Sequence, residues 1–172
     1  EAKTRGVHVS CEVAPHHISL SDEDVASFDP NMKMNPPLRS KDHVEALIEG
    51  LRDGTIDVIA TDHAPHTIEE KATDFVSAPF GVIGLETAFS VVMTELVHKR
   101  GFDLMTVAER MSTNPAKILG LGNKGKIQVD CDADITIVDP DELVKVDSRE
   151  FVSLSRNTPF EGWELKGSVV HT

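Results

Sequence analysis

Tyrosine is absent from this 172-residue chain, tryptophan occurs once, at Trp163, and cysteine occurs twice, at Cys11 and Cys131. The missing tyrosine carries no functional message of its own. The two thiols lie far apart and in no C-x-x-C arrangement, so they read as unpaired and fit a reducing cytoplasm. No apolar run reaches the roughly 18 residues that mark a membrane-spanning helix, and the opening E-A-K-T-R-G has no secretory pattern. Basic residues are scarce: 17 Lys and Arg against 29 Asp and Glu leave a formal net charge of −12. A surface of that sign displaces no counterions from phosphates, which argues against nucleic acid as a partner. It would also repel an anionic small molecule, so local donors would have to capture one.

What is present is concentrated after Thr55, where the chain reads I-D-V-I-A-T-D-H-A-P-H. Ile56, Val58 and Ile59 read as a buried strand that Pro65 ends. Asp62, His63 and His66 follow it directly. In a parallel α/β protein the loops past the strand ends face the pocket, so catalytic groups are mounted there. A carboxylate and two imidazoles so close together can bind a divalent metal or exchange protons near neutral pH. The competing reading is a polar turn whose carboxylate is satisfied by backbone N–H groups.

Along the chain, Val7, Val9, Cys11 and Val13 alternate with polar residues and predict a strand over 7–13, closed by Pro15. Residues 21–39 read as a long loop with Pro30, Pro36 and Pro37, of a length that is functional or mobile in compact domains. Ser40 caps a predicted helix with Val44, Leu47, Ile48 and Leu51 on its apolar face and Gly54 at its end. Strand, loop, helix, strand is the grammar of a parallel sheet. A second loop at 67–84 leads to a predicted helix from Leu85 to Arg100, and another follows from Asp103 to Met111. Asn114-Pro115 reads as cap and first turn of a further helix. From Gly125 the pattern changes to short strands, predicted at 126–129, 135–138 and 165–170, which puts a domain boundary near 122.

A-T-D-H-A-P-H followed by Lys71 resembles a signature of the dihydroorotases, in the cyclic amidohydrolase superfamily. C-E-V-A-P-H-H-I-S-L (Cys11 to Leu20), K-M-N-P-P-L-R (Lys33 to Arg39) and P-F-G-V-I-G-L-E-T (Pro79 to Thr87) are similar to the family's seventh-strand segment, substrate loop and glycine loop. N-P-A-K-I-L-G-L (Asn114 to Leu121), D-A-D-I-T-I-V-D (Asp132 to Asp139) and N-T-P-F-E-G-W-E-L-K-G (Asn157 to Gly167) follow in family order. The resemblance implies an α/β fold: residues 1–122 as the C-terminal part of a (β/α)8 TIM-type barrel, and 123–172 as part of a small β-sandwich domain. A whole barrel needs about 250 residues, so an incomplete chain is expected, with the family's H-x-H motif and most metal ligands lying before Glu1.

The implied activity is zinc-dependent, reversible cyclisation of N-carbamoyl-L-aspartate to L-dihydroorotate in pyrimidine biosynthesis, with one or two zinc ions. The ions would polarise the carbonyl and supply hydroxide at neutral pH. Asp62 matches the family's catalytic aspartate, both metal ligand and proton shuttle. His66, Asn35, Phe80 and Gly81 match substrate contacts: an imidazole donor to the carboxylate, an amide with donor and acceptor, and backbone groups that glycine lets approach the ring. His63 is expected to be structural, and His16 and His17 to support rather than ligate. A homodimer or a complex with aspartate transcarbamoylase are the implied partners. Val129-Asp130-Cys131 departs from the family, whose members usually carry glycine there. An allantoinase or hydantoinase, and a non-catalytic dihydroorotase-like subunit, are the rival readings.

Overall fold

The run after Thr55 does form a strand, β2 (Val58–Ile59), and it pairs in parallel with β1 (Glu12–Val13), Glu12 opposite Val58 and Val13 opposite Ile59. The computed structural model describes residues 1–172. The ladder continues past both ends, as Asp57 N–H donates to the Cys11 carbonyl and Ala60 N–H to that of Val13. The predicted strand over 7–13 is thus shorter, and Val7 and Val9 are exposed. Alternation marks residues suited to a half-covered sheet, and nothing in these residues covers that stretch.

Between the strands run α1 (Pro15–Ser19), two 3-10 turns and α2 (Lys41–Arg52). Helix α2 begins where Ser40 predicted, but the Ser40 hydroxyl bonds His43 Nδ1 at 2.8 Å instead of a backbone N–H. Its apolar face packs Val44, Ile48 and Leu51 against Ile18, Ile56, Ile59, Val92, Met93, Leu96, Phe102 and Val107. Removing a buried side chain such as Leu51 from this cluster costs about 2–5 kcal/mol.

After α3 (Ile68–Lys71) comes α4 (Ala88–Val92), which widens into the π-type turn Met93–His98. The predicted start at Leu85 falls in a turn, and helix begins at Ala88. Next, α5 (Leu104–Ala108) runs through the π-type turn Glu109–Thr113 directly into α6 (Asn114–Ile118). Asn114 is therefore not a cap: it is helical, with φ −68° and ψ −44°. Pro115 is tolerated because the wider turn just before it shifts the hydrogen-bond ladder at the position that has no N–H to give. The Asn114 amide instead donates to the Asp57 carbonyl at 2.9 Å and ties the helix to the edge of β2.

The tail forms one antiparallel ribbon, β3 (Ile137–Lys145) with β4 (Glu164–His171), and no strand at 126–129. A register shift between Asp139 and Leu143 accommodates Pro140, which cannot donate to a ladder. Ribbon and helix meet where the Ser90 hydroxyl donates to the Gly167 carbonyl at 2.6 Å. Gly167 has φ +94°, and a Cβ there would lie 2.7 Å from Met93 Cβ. A second core joins Leu20, Met34, Leu38, Val82 and Val91 to the tail's Val146, Phe160 and Leu165.

Candidate active site

Past β2 the backbone turns sharply at Asp62, whose φ of +48° is left-handed. Outside glycine this region costs strain, and Asp and Asn tolerate it best. Strain held at one carboxylate beside a strand end points toward function. Asp62 is exposed at this kink, while His63 beside it is half-buried. His63 Nδ1 accepts the N–H groups of Gly84 at 3.1 Å and Leu85 at 3.4 Å, and an isolated parallel bridge links His63 to Val82. His63 therefore fixes the glycine loop to the strand end, a structural task.

His66 sits where three segments meet. Its Nε2 lies 2.9 Å from the Phe80 carbonyl, and its Nδ1 is 3.4 Å from Glu70 Oε2. A reciprocal cap follows at once: Glu70 N–H donates to Thr67 Oγ1, and Thr67 N–H donates to the Glu70 carboxylate at 2.9 Å. These bonds, chiefly the one from the Thr67 backbone and with the His66 ring beside them, hold the Glu70 carboxyl below its ordinary range. Gly81 lies against the same histidine. Its φ is +130°, and a Cβ there would stand 2.6 Å from Ala64 Cβ and 3.2 Å from His66 Nε2. Only glycine lets these two loops approach so closely.

The two long loops are stitched together by lysines to which the sequence reading gave no role. Lys71 is buried, and its ammonium donates to the carbonyls of Pro30 and Pro79, each at 2.9 Å. Burial pushes its pKa down, and the nearby Lys33 adds to this. Lys33 donates to the carbonyls of Val76 at 2.7 Å and Ala78 at 2.6 Å, and its ammonium lies 4.6 Å from the centre of the Phe80 ring. The Lys33 carbonyl accepts Gly81 N–H at 3.0 Å.

Of the residues singled out in the sequence, His66, Phe80 and Gly81 thus form one cluster, and Asp62 stands at the strand end that carries it. Asn35 is exposed on the partner loop, two residues beyond the Lys33 carbonyl that meets Gly81. His16 is buried with Nε2 unpartnered, and burial, with His17 beside it, lowers its pKa to about 3. The residue that sequence reasoning missed is Asn157. It is 3% exposed and bonds both loops of the cluster. Its block was recognised, but nothing in a lone asparagine so far along the chain signals a contact with His66.

No group of three or more His, Cys, Asp and Glu side chains converges here to hold a metal ion. A catalytic zinc needs about three protein ligands. Asp62 offers one carboxylate, while the ring nitrogen His63 directs at Gly84 and both nitrogens of His66 already have partners. These residues alone do not complete a zinc site.

The sequence matches the model of the amidohydrolase family over residues 1–172. It is 55% identical to a dihydroorotase of Pelotomaculum thermopropionicum over 167 residues, covering 97% of this chain and 39% of that protein. Against a dihydroorotase of Geobacillus thermodenitrificans it is 49% identical over 172 residues, covering 100% of this chain and 40% of the relative. Among solved structures, the L-hydantoinase (dihydropyrimidinase) from Arthrobacter aurescens superposes with a TM-score of 0.93 at 36% identity, over 98% of this chain and 38% of that one. The dihydropyrimidinase from Brevibacillus agri gives 0.86 at 28% identity, with the same coverage. The chain therefore spans about two-fifths of the length of the proteins it matches.

Proposed function

Because this chain belongs to the amidohydrolase family, whose fold here is part of a TIM-type barrel, we propose that the protein carrying it is a dihydroorotase. The observation that carries this reading is sequence identity of 49–55% to dihydroorotases along nearly the whole chain. The hydantoinase structures share the backbone closely but are no more than 36% identical in these comparisons, so they speak for the fold more than for the substrate. In hydrolysis, water's oxygen bonds to the ring amide carbon as the carbon–nitrogen bond breaks. Asp62 takes a proton from that water and passes it to the departing ring nitrogen. The reverse reaction closes N-carbamoyl-L-aspartate to L-dihydroorotate and releases water.

His66 would exchange its Phe80 partner for the substrate carboxylate, a charge-assisted bond that answers the protein's negative field. Asn35 would contact the ring from the facing loop, and the backbone of Phe80 and Gly81 would line its other side. Amidohydrolases are generally metal-dependent, and zinc is the ion proposed here, with Asp62 as one ligand; bound, it would supply Lewis-acid polarisation of the amide. The reading extends to a cytoplasmic protein of pyrimidine biosynthesis, to a homodimer or an aspartate transcarbamoylase complex, and to two units meeting near residue 122. No helix is long and apolar enough to cross a membrane. The test is an assay of the intact zinc-loaded protein with dihydroorotate, hydantoin and allantoin in parallel. Turnover of dihydroorotate above the other two is expected; preference for hydantoin or allantoin overturns the substrate.

A further inference from the structure

Asn157 carries more of the candidate site's geometry than any residue within it. Its amide nitrogen donates to the Ala64 carbonyl at 2.9 Å and to the Gly81 carbonyl at 3.1 Å. Its amide oxygen accepts the His66 backbone N–H at 3.2 Å, and its own carbonyl accepts Ile83 N–H at 3.0 Å. The partners fix which end of the amide is which, since two carbonyls need donors and one N–H needs an acceptor. One buried side chain thus clamps the strand-end loop at Ala64 and His66 to the glycine loop at Gly81. Both loops bear residues proposed above to bind substrate.

From this arrangement we infer that Asn157 is a positioning residue for substrate capture: it touches no substrate and acts through His66 and the Phe80–Gly81 backbone. The inference rests on the dihydroorotase reading for its substrate but not for its geometry. Loss of the amide strands the buried Gly81 carbonyl and leaves the half-buried Ala64 carbonyl and His66 N–H without their partner, which frees the His66 loop to drift from the glycine loop. Displacements of about an ångström at a binding group already cost one to two orders of magnitude. The cost falls on binding, because Asp62 lies ahead of the clamped segment and keeps its own turn.

The test uses the intact zinc-loaded protein. Asn157→Ala is expected to raise KM for dihydroorotate by about tenfold or more while kcat per folded molecule changes little. In a His66→Ala background the same substitution should raise KM by less than it does alone, since the route through His66 is already lost and only that through the Phe80–Gly81 backbone remains. Amide exchange at Ala64 and His66 should accelerate while α2 stays protected. Asn157→Asp keeps the shape and the acceptor for His66 N–H but turns a carboxylate toward the two carbonyls. It is read in the same way and stands in if the alanine variant does not fold. A merely structural asparagine would lower total activity with the folded fraction and leave KM unchanged; that result, or full additivity with His66→Ala, overturns the inference. If the unmutated protein turns over no cyclic amide, the functional reading fails by itself, and exchange at Ala64 and His66 still decides whether the clamp exists.

Discussion

At Asp62, a left-handed backbone and an exposed carboxylate coincide at the end of a buried strand. Asp62→Asn keeps the shape and removes the proposed base, so turnover of the intact protein should fall at least about a hundredfold, measured as kcat with dihydroorotate. Near-normal kcat would exclude the proton-transfer role. Asp62 and His66 were legible because strand, acid and imidazoles are contiguous in sequence. Asn157 was not, because its contact with His66 spans 91 positions and depends on burial that no local pattern encodes. His16 makes a separate prediction. Its folded pKa of about 3 lies below the ordinary 6.5, so between those values the unfolded chain binds the extra proton. Stability should hold above pH 6.5 and fall as the pH drops toward 3, by at most about 1.4 kcal/mol per pH unit. Urea unfolding at pH 7, 5.5 and 4.5 reads the slope, which His16→Asn should flatten; an unchanged slope would put the titration elsewhere.

Among the elements, the contact between β4 and the helix at 88–98 has no slack. Gly167→Ala would push a Cβ into Met93 and force a non-glycine residue to φ +94°. It should destabilise the protein by about 1–3 kcal/mol, seen as a lower urea midpoint, whereas alanine at Gly122, with nothing within 4 Å of its Cβ position, should be near neutral. Elements whose cores lie inside these residues were readable: α2 appears where Val44, Ile48 and Leu51 recur at helical spacing, and β2 where the apolar run is continuous. The helix through Asn114-Pro115 was misread as a restart, since a π-type turn leaves no mark in the residue pattern. The ribbon β3–β4 was placed only in part, because register shifts and Pro140 break the alternation that reveals a strand.

For the whole molecule, what is uncovered matters as much as what is packed. The two-residue strands β1 and β2 form a sheet of their own, and Val7, Val9, Ile137 and Val169 are exposed. Open sheet edges and bare apolar positions seek partners. The isolated 172-residue chain should therefore self-associate in sedimentation velocity. With no converging donor set, it should also bind zinc only weakly in a metal titration. A stable monomer holding stoichiometric zinc would contradict both expectations. The second core has a different consequence. Val146, Phe160 and Leu165 share it with Leu20, Met34, Val82 and Val91, across the boundary proposed near residue 122. A chimera spliced at that point inherits half of a jigsaw from each parent. Tails exchanged between relatives should transplant well only when the facing residues travel with them.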